Sequence, residues 1–188
     1  KQELYLIRDR FGEKPIYCFN GHNHFAFASE LKALKLIPWM KNDIDLNALS
    51  RYFQHSFIPG KDSIYENINK LIPGEILTIT VKNNKIEQNN FQYWTSEEQI
   101  NLSKSNGFKG NFEDAVIEVE NALRLSVKQQ LIADVPVGIF LSGGVDSSLI
   151  SILAQQESSK SINTFNICFE SKEYDESSNA KSLSDKLD

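Results

Sequence analysis

The sequence is short of the residues that build metal centres, disulfide scaffolds and membrane spans. Among 188 residues there are two cysteines, three histidines and one methionine. Cys18 and Cys168 are far apart and lack metal-ligand spacing, so they read as free thiols of a reducing, cytoplasmic compartment. His22 and His24 share a turn with no third ligand nearby, and His55 stands alone. None of the three points to a metal. No apolar run is long enough to cross a membrane. No block of Lys or Arg occurs and the formal net charge is −5, which argues against a nucleic-acid partner. No secretory signal is visible. The first residue is Lys1 and the last residues, to Asp188, read as helix, so the expectation is a piece of a longer protein.

What is present is an ordinary globular composition, 40% hydrophobic and 24% charged,. In the first half, Tyr5-Leu6-Ile7 reads as a strand. Two apolar runs, Pro15–Phe19 and His24–Ala28, flank the hairpin signal Asn20-Gly21-His22-Asn23. Ser29 is the expected N-cap of a short helix ended by Pro38. A second helix runs through Asn47–Phe53, with Leu46, Leu49, Tyr52 and Phe53 on one face. Turns at Pro59-Gly60 and Pro73-Gly74 precede the strand Glu75–Val81. Lys82 to Lys85 is a solvated hairpin tip, and the return strand carries Ile86 and ends at Phe91-Gln92-Tyr93-Trp94. Arg8-Asp9-Arg10 reads as a structural ion-pair network rather than a catalytic group. Strands and hairpins with two short helices make this part α+β.

Residues 95–110 are polar and rich in Gly and Ser, and the domain boundary is placed there. Asn111 caps a long helix with Glu113 and Asp114 in its first turn. Its apolar stripe, Phe112, Ala115, Val116, Val119, Leu123, Val127 and Leu131, is expected to pack on the core of its own domain. After Pro136 comes the uncharged strand Val137–Leu141, read as buried. It leads into Ser142-Gly143-Gly144-Val145-Asp146-Ser147-Ser148 and then the helical run Leu149–Ala154. A second strand, Ile162–Phe169, and a helix capped by Tyr174-Asp175-Glu176-Ser177 follow. This β-α-β-α order predicts a parallel doubly wound α/β sheet, incomplete here.

The stretch 142–148 carries the chemistry. A helix N-terminus leaves N–H groups free and is a natural seat for phosphate. The two glycines let the backbone bend and approach a ligand, and the serines add hydroxyls. Asp146 would repel a phosphate unless a Mg²⁺ stood between them. No Lys follows the glycines, so this is not the Walker loop.

SGGVDSS after an apolar strand resembles the pyrophosphate loop of the ATP-pyrophosphatase (PP-loop) synthetases. RDRFGEKPIY, FAFASELKAL, IPGKDSIYENINKLIPGEIL and YW occur in the order seen in glutamine-hydrolysing asparagine synthetases, and cover nearly all of residues 5–94. The resemblance implies that residues 1–95 are the later part of an N-terminal-nucleophile glutaminase domain. It makes 96–110 a linker and 111–188 the start of a PP-loop synthetase domain. It implies ATP and Mg²⁺ as cofactors, and glutamine and aspartate as small-molecule substrates. A homodimer is one expectation for the assembly. Phe140, Leu141 and Ile167 would hold the adenosine. Ser142, Gly143, Gly144, Val145, Asp146, Ser147 and Ser148 would hold the pyrophosphate, with Asp146 on the metal. The family's nucleophile is an N-terminal Cys acting with its own α-amine. This chain begins at Lys1 and Cys18 lies inside a strand, so no catalytic residue of the glutaminase is assigned. No Lys or Arg of the second domain is assigned to the triphosphate, and that cation is expected beyond Asp188. The chain alone is therefore not expected to make asparagine. Two alternatives stay open: a related PP-loop amidotransferase acting on another carboxylate, and a non-catalytic remnant.

Overall fold

The computed structural model describes residues 3–21, 24–83, 85–169, 171 and 175–187. His22 and Asn23 of the first hairpin tip, Asn84 of the second and Tyr174 of the capping stretch lie outside the described residues. The chain divides into two units, Lys1–Gly107 and Phe108–Asp188.

The first unit is built on alternation. Its strands are β1 (Glu3–Ile7), β2 (Tyr17–Asn20), β3 (Phe25–Ala28), β4 (Ile68–Lys70), β5 (Glu75–Lys82) and β6 (Lys85–Gln92). They form two antiparallel three-stranded sheets, ordered β1-β5-β6 and β3-β2-β4. Side chains on a strand point alternately to its two faces. In β5 this buries Leu77 and Ile79, which join Leu6, Cys18 and Leu71 in one core between the sheets. In β2 the neighbour of Cys18, Phe19, faces the other way and joins Leu34, Met40 and Ile68 in a second core. Leu34 belongs to helix α1 (Leu31–Leu34), so one face of the second sheet meets the first sheet and the other meets α1.

Several expectations are corrected here. The N-cap of α1 is Glu30, with no side-chain cap, because the chain needs both Ser29 and Glu30 to turn out of β3. The helix ends at Leu34, before Pro38 acts. Helix α2 (Leu46–His55) is capped by Asp45, whose carboxylate accepts the Asn47 and Ala48 N–H groups. It packs through the buried Ala48, while Leu46, Tyr52 and Phe53 are exposed. Arg8-Asp9-Arg10 is structural but is not an ion-pair network among the described residues. The Arg8 guanidinium donates to the carbonyls of Lys14, Leu71 and Gly12. The Asp9 carboxylate accepts the N–H groups of Phe11, Glu13 and Lys14, and these bonds, that of Glu13 foremost, hold it below the usual carboxylate range,. Gly74 ties this turn to the end of the unit. Its N–H donates to Asp9 O at 2.9 Å and its carbonyl accepts from Tyr93 at 2.8 Å. With φ +73° and the Trp94 carbonyl against its Cα, the position admits no Cβ,.

The boundary stretch is not irregular throughout. It holds helix α3 (Ser96–Ser105), capped by Thr95 Oγ1 on the Glu98 N–H, with no buried residue.

In the second unit, helix α4 (Phe112–Gln130) starts at a capping box formed by Asn111 and Asp114. Strand β7 (Gly138–Phe140), helix α5 (Val145–Glu157), strand β8 (Asn163–Phe165) and helix α6 (Ser177–Leu187) follow. β7 and β8 are parallel, pairing Gly138 with Asn163 and Phe140 with Phe165. The strand expected over 162–169 is thus three residues long. The strand read as buried is only half covered: Ile139 packs on the core, while Phe140 is 80% exposed. Two strands have one face under α4 and α5 and nothing among the described residues on the other. The core of the unit is Val127, Leu153 and Ala154, with Leu123, Leu131, Ile139, Ile150 and Ile162 against it. Only the C-terminal half of the α4 stripe is therefore packed. Phe112, Val116 and Val119 are exposed. Arg124 joins the two helices, donating to Glu120 on α4 and to Glu157 and Gln156 on α5.

Candidate functional site

The loop between β7 and α5 folds around its own serines. Ser147 Oγ lies 3.0 Å from Ser142 Oγ, receives the Ser142 N–H at 3.3 Å and donates to the Gly144 carbonyl at 3.2 Å. These short-range bonds close a tight turn, and Gly143 makes the turn possible with φ +86°. A Cβ there would stand 2.7 Å from Asn179 Cβ and 3.1 Å from the Ala180 nitrogen, so the first turn of α6 presses on the loop.

Gly144 is the N-cap residue of α5, and the Ser148 N–H already donates to the Gly144 carbonyl at 3.0 Å. The free donors are thus fewer than the residue range 143–148 implies. The Gly144 N–H faces Ser142 Oγ at 3.4 Å. The N–H groups of Gly143, Val145, Asp146 and Ser147 have no hydrogen-bond partner among the described residues. Asp146 sits in the exposed first turn of α5, and its carboxylate makes no ion pair or hydrogen bond among the described residues. A helix prefers an acidic group at that end, so the fold tolerates Asp146 without needing it.

Beside the loop, at the carboxyl ends of the parallel strands, is a cleft of about 320 Å³. Phe140, Leu141, Ser142 and Ile167 all line it, so the residues expected to hold adenosine come together at one place. Phe165, Asn166, Phe169 and Glu176 line it as well, and the sequence reading did not single these out as ligands. The signal for Phe165, Asn166 and Phe169 was their position at or just past the end of the second strand, where ligands of parallel sheets sit,. Glu176 also begins α6 by accepting the Asn179 and Ala180 N–H groups on its carbonyl. Of the stretch read as the cap, Glu176 immediately precedes α6, which has no acidic residue in its first turn, and Asp175 stands two residues before it. The Ser177 hydroxyl and N–H donate to the Asp175 carboxylate, hydroxyl foremost, and hold it below the usual range.

Among the described cations of this unit, Lys181 of α6 lines a neighbouring cleft with Leu141 and Asn166, while three others lie away from the loop. Arg124 and Lys128 meet Glu157 near the far end of α5. Lys160 lines a cleft with Asp134 and Pro136, beyond the opposite ends of the strands. Among the described residues no group of three or more His, Cys, Asp or Glu side chains could hold a metal. His24 stacks on Trp39, ring centroids 4.6 Å apart. No helix is long and apolar enough to cross a membrane among the described residues.

A parallel strand pair opening through a glycine–serine loop onto a helix N-terminus, in a chain that also carries an antiparallel two-sheet unit, defines a two-unit protein whose loop presents N–H donors of the kind that suit an anion. Residues 1–94 match the glutamine amidotransferase domain family and residues 118–188 the asparagine synthase family. Glutamine-hydrolysing asparagine synthetase 3 of Bacillus subtilis strain 168 is 33% identical over 173 residues, which are 89% of this chain and 26% of that protein. Asparagine synthetase 1 of the same organism is 34% identical over 185 residues, 95% of this chain and 26% of that protein. A Methanocaldococcus jannaschii protein provisionally named a glutamine-hydrolysing asparagine synthetase is 33% identical over 176 residues, 92% of this chain and 32% of that protein. The chain belongs to the glutamine-hydrolysing asparagine synthetase family. It spans only between 26% and 32% of the length of these relatives.

Proposed function

We propose that this chain is part of a cytoplasmic glutamine-dependent asparagine synthetase, which converts ATP, aspartate and glutamine into asparagine, glutamate, AMP and pyrophosphate. Residues 1–95 are the later part of its N-terminal-nucleophile glutaminase domain, 96–110 the connection, and 111–188 the start of its PP-loop synthetase domain. Glutamine is hydrolysed in the first domain. Ammonia passes to the second without meeting bulk water, where most of it would be protonated and non-nucleophilic. There the aspartate side-chain carboxylate attacks the α-phosphate of ATP to give β-aspartyl-AMP and pyrophosphate, and ammonia then displaces AMP. Adenylation is needed because a carboxylate oxygen is a poor leaving group.

In this reading Phe140, Leu141 and Ile167 hold the adenosine in the cleft. The N–H groups of Gly143, Val145, Asp146 and Ser147 and the hydroxyls of Ser142, Ser147 and Ser148 hold the leaving pyrophosphate. A helix terminus supplies only about half a positive charge, too little for a triphosphate. The unpartnered carboxylate of Asp146 fits a Mg²⁺ carried in with the nucleotide, since that ion takes one or two carboxylates together with phosphate oxygens. Held there by Asp146, such an ion would offset the negative charge of the triphosphate.

One observation supports the reading above the others: the cleft at the strand ends adjoins a helix N-terminus with unpaired N–H groups. The test is titration with Mg·ATP, wild type against Asp146→Ala. Saturable wild-type binding, weakened at least about tenfold by the substitution, is the expected outcome. In the full-length protein the same substitution should abolish asparagine synthesis and leave glutamine hydrolysis intact. Synthesis that survives it would remove Asp146 from the metal site.

A further inference from the structure

Leu141 directly follows β7 at the entry to the loop, and it is buried. Its N–H continues the parallel ladder, donating to the Phe165 carbonyl at 2.8 Å. Extending the register from Phe140 opposite Phe165 by one step places Asn166 opposite Leu141. In a regular parallel ladder the Leu141 carbonyl would then accept the N–H of Ile167. Among the described residues that bond is not made. The side-chain amide of Asn166 donates to the Leu141 carbonyl instead, at 2.6 Å. The other end of the same amide accepts from the Cys168 thiol at 3.9 Å, consistent with the same assignment of its oxygen and nitrogen,.

We infer that Asn166 is the positioning residue of the nucleotide loop: its amide stands in for the missing rung between β8 and β7. The substitution has two consequences. It lets the chain leave the sheet at Ile167, which opens the wall of the cleft, without stranding a buried carbonyl. It also clamps the Leu141–Ser142 peptide from which Ser142, the Gly143 turn and the free N–H groups of α5 are hung. Asn166 lies on the strand-end side of the cleft, so it acts on the phosphate donors through Leu141 rather than through contact with phosphate. Freed of the clamp, the peptide can rotate, and the N–H groups no longer converge on one anion.

This inference rests on the proposed nucleotide site and predicts a split. Asn166→Leu keeps the branching and approximate size of the side chain but cannot donate. Asn166→Asp keeps the shape and places a carboxylate against the carbonyl. In the full-length protein, calorimetric titration of each variant with Mg·ATP and separately with adenosine is the measurement. Both variants should lose about tenfold or more in Mg·ATP affinity, while adenosine, which meets the cleft that Asn166 also lines but not the loop donors, should lose distinctly less,. Unchanged Mg·ATP affinity in either variant overturns the inference. So does a parallel loss of ATP and adenosine, which is the mark of general structural damage. If wild type and Asp146→Ala differ as expected while the Asn166 variants match wild type, only this inference falls. If wild type binds neither nucleotide nor nucleoside, the proposed function falls and takes it along.

Discussion

A thiol held neutral by burial reports on the core around it. Cys18 is 3% exposed between the two sheets of the first unit. Burial, with the Glu75 carboxylate beside it, pushes its thiol up to about 11,. The folded value lies above the unfolded one, near 8.5, so the contribution is fully present below that pH. It is lost as pH rises toward about 11, because only the unfolded chain can release the proton,. Urea midpoints measured from pH 8 upward should therefore fall faster for wild type than for Cys18→Ala; parallel slopes would show that Cys18 is not held neutral. The exposed Cys168 should alkylate in the native protein while Cys18 stays unmodified until unfolding,. At this scale the sequence was readable where a role depends on neighbours in the chain. Ser142–Ser148 is contiguous, and its turn chemistry lies in its own residues. Asn166 was not readable, because its role is a bond to a carbonyl 25 positions away. Arg8 was half readable: its structural nature was evident, but its acceptors are carbonyls, one of them on Leu71.

Among the elements, α4 shows how much a local code specifies. Asn111 Oδ1 accepts the Asp114 N–H at 2.9 Å, and the Asp114 carboxylate returns the bond to the Asn111 N–H at 3.1 Å. With Phe112, Val116 and Val119 exposed, the first half of α4 has little packing among the described residues to hold it, and the cap carries much of its stability. Asn111→Ala should cost about 1 kcal/mol, read as a lower urea midpoint of the helical signal, with Asn111→Asp restoring most of it. An unchanged midpoint would show that this end is frayed before the rest unfolds. The cap was legible in the sequence because a capping box is written in four consecutive residues. The same code stood in Thr95-Ser96-Glu97-Glu98, where α3 begins, and was passed over because the composition read as linker. The stripe on α4 was legible as amphipathic, but periodicity does not say how far along a helix its cover extends. Strand length failed for a related reason. The apolar run 162–169 has strand-like composition, yet pairing ends at Phe165, and the Asn166 amide makes the next contact.

For the whole molecule, the division into units follows from where burial stops. Every residue from 96 to 114 is exposed, α3 has no buried residue, and Gly107 has nothing within 4 Å of where a Cβ would stand. Such a stretch opens locally at little cost and is where proteases cut first. Lys104 and Lys109 lie within it. Exposed lysines such as Lys82, Lys85 and Lys128 sit in strands or helices, and two in loops are tied: Lys61 accepts the Lys70 N–H on its carbonyl, and the loop after Lys41 is held by the Glu66 N–H on the Asp43 carbonyl. Brief trypsin treatment should therefore cut at Lys104 or Lys109 before any other site, leaving one fragment that contains both antiparallel sheets and one that contains β7, α5 and β8. Mass spectrometry of the first products decides it. Early cuts at Lys82 at the end of β5, or at Arg124 or Lys128 within α4, would mean that the units are not the independently stable bodies that their separate cores imply. Clean separation would allow the nucleotide titration to be repeated on the second fragment. Mg·ATP binding retained there would trace the donors to the loop of that unit alone, whereas binding lost on separation would require a contribution from outside it.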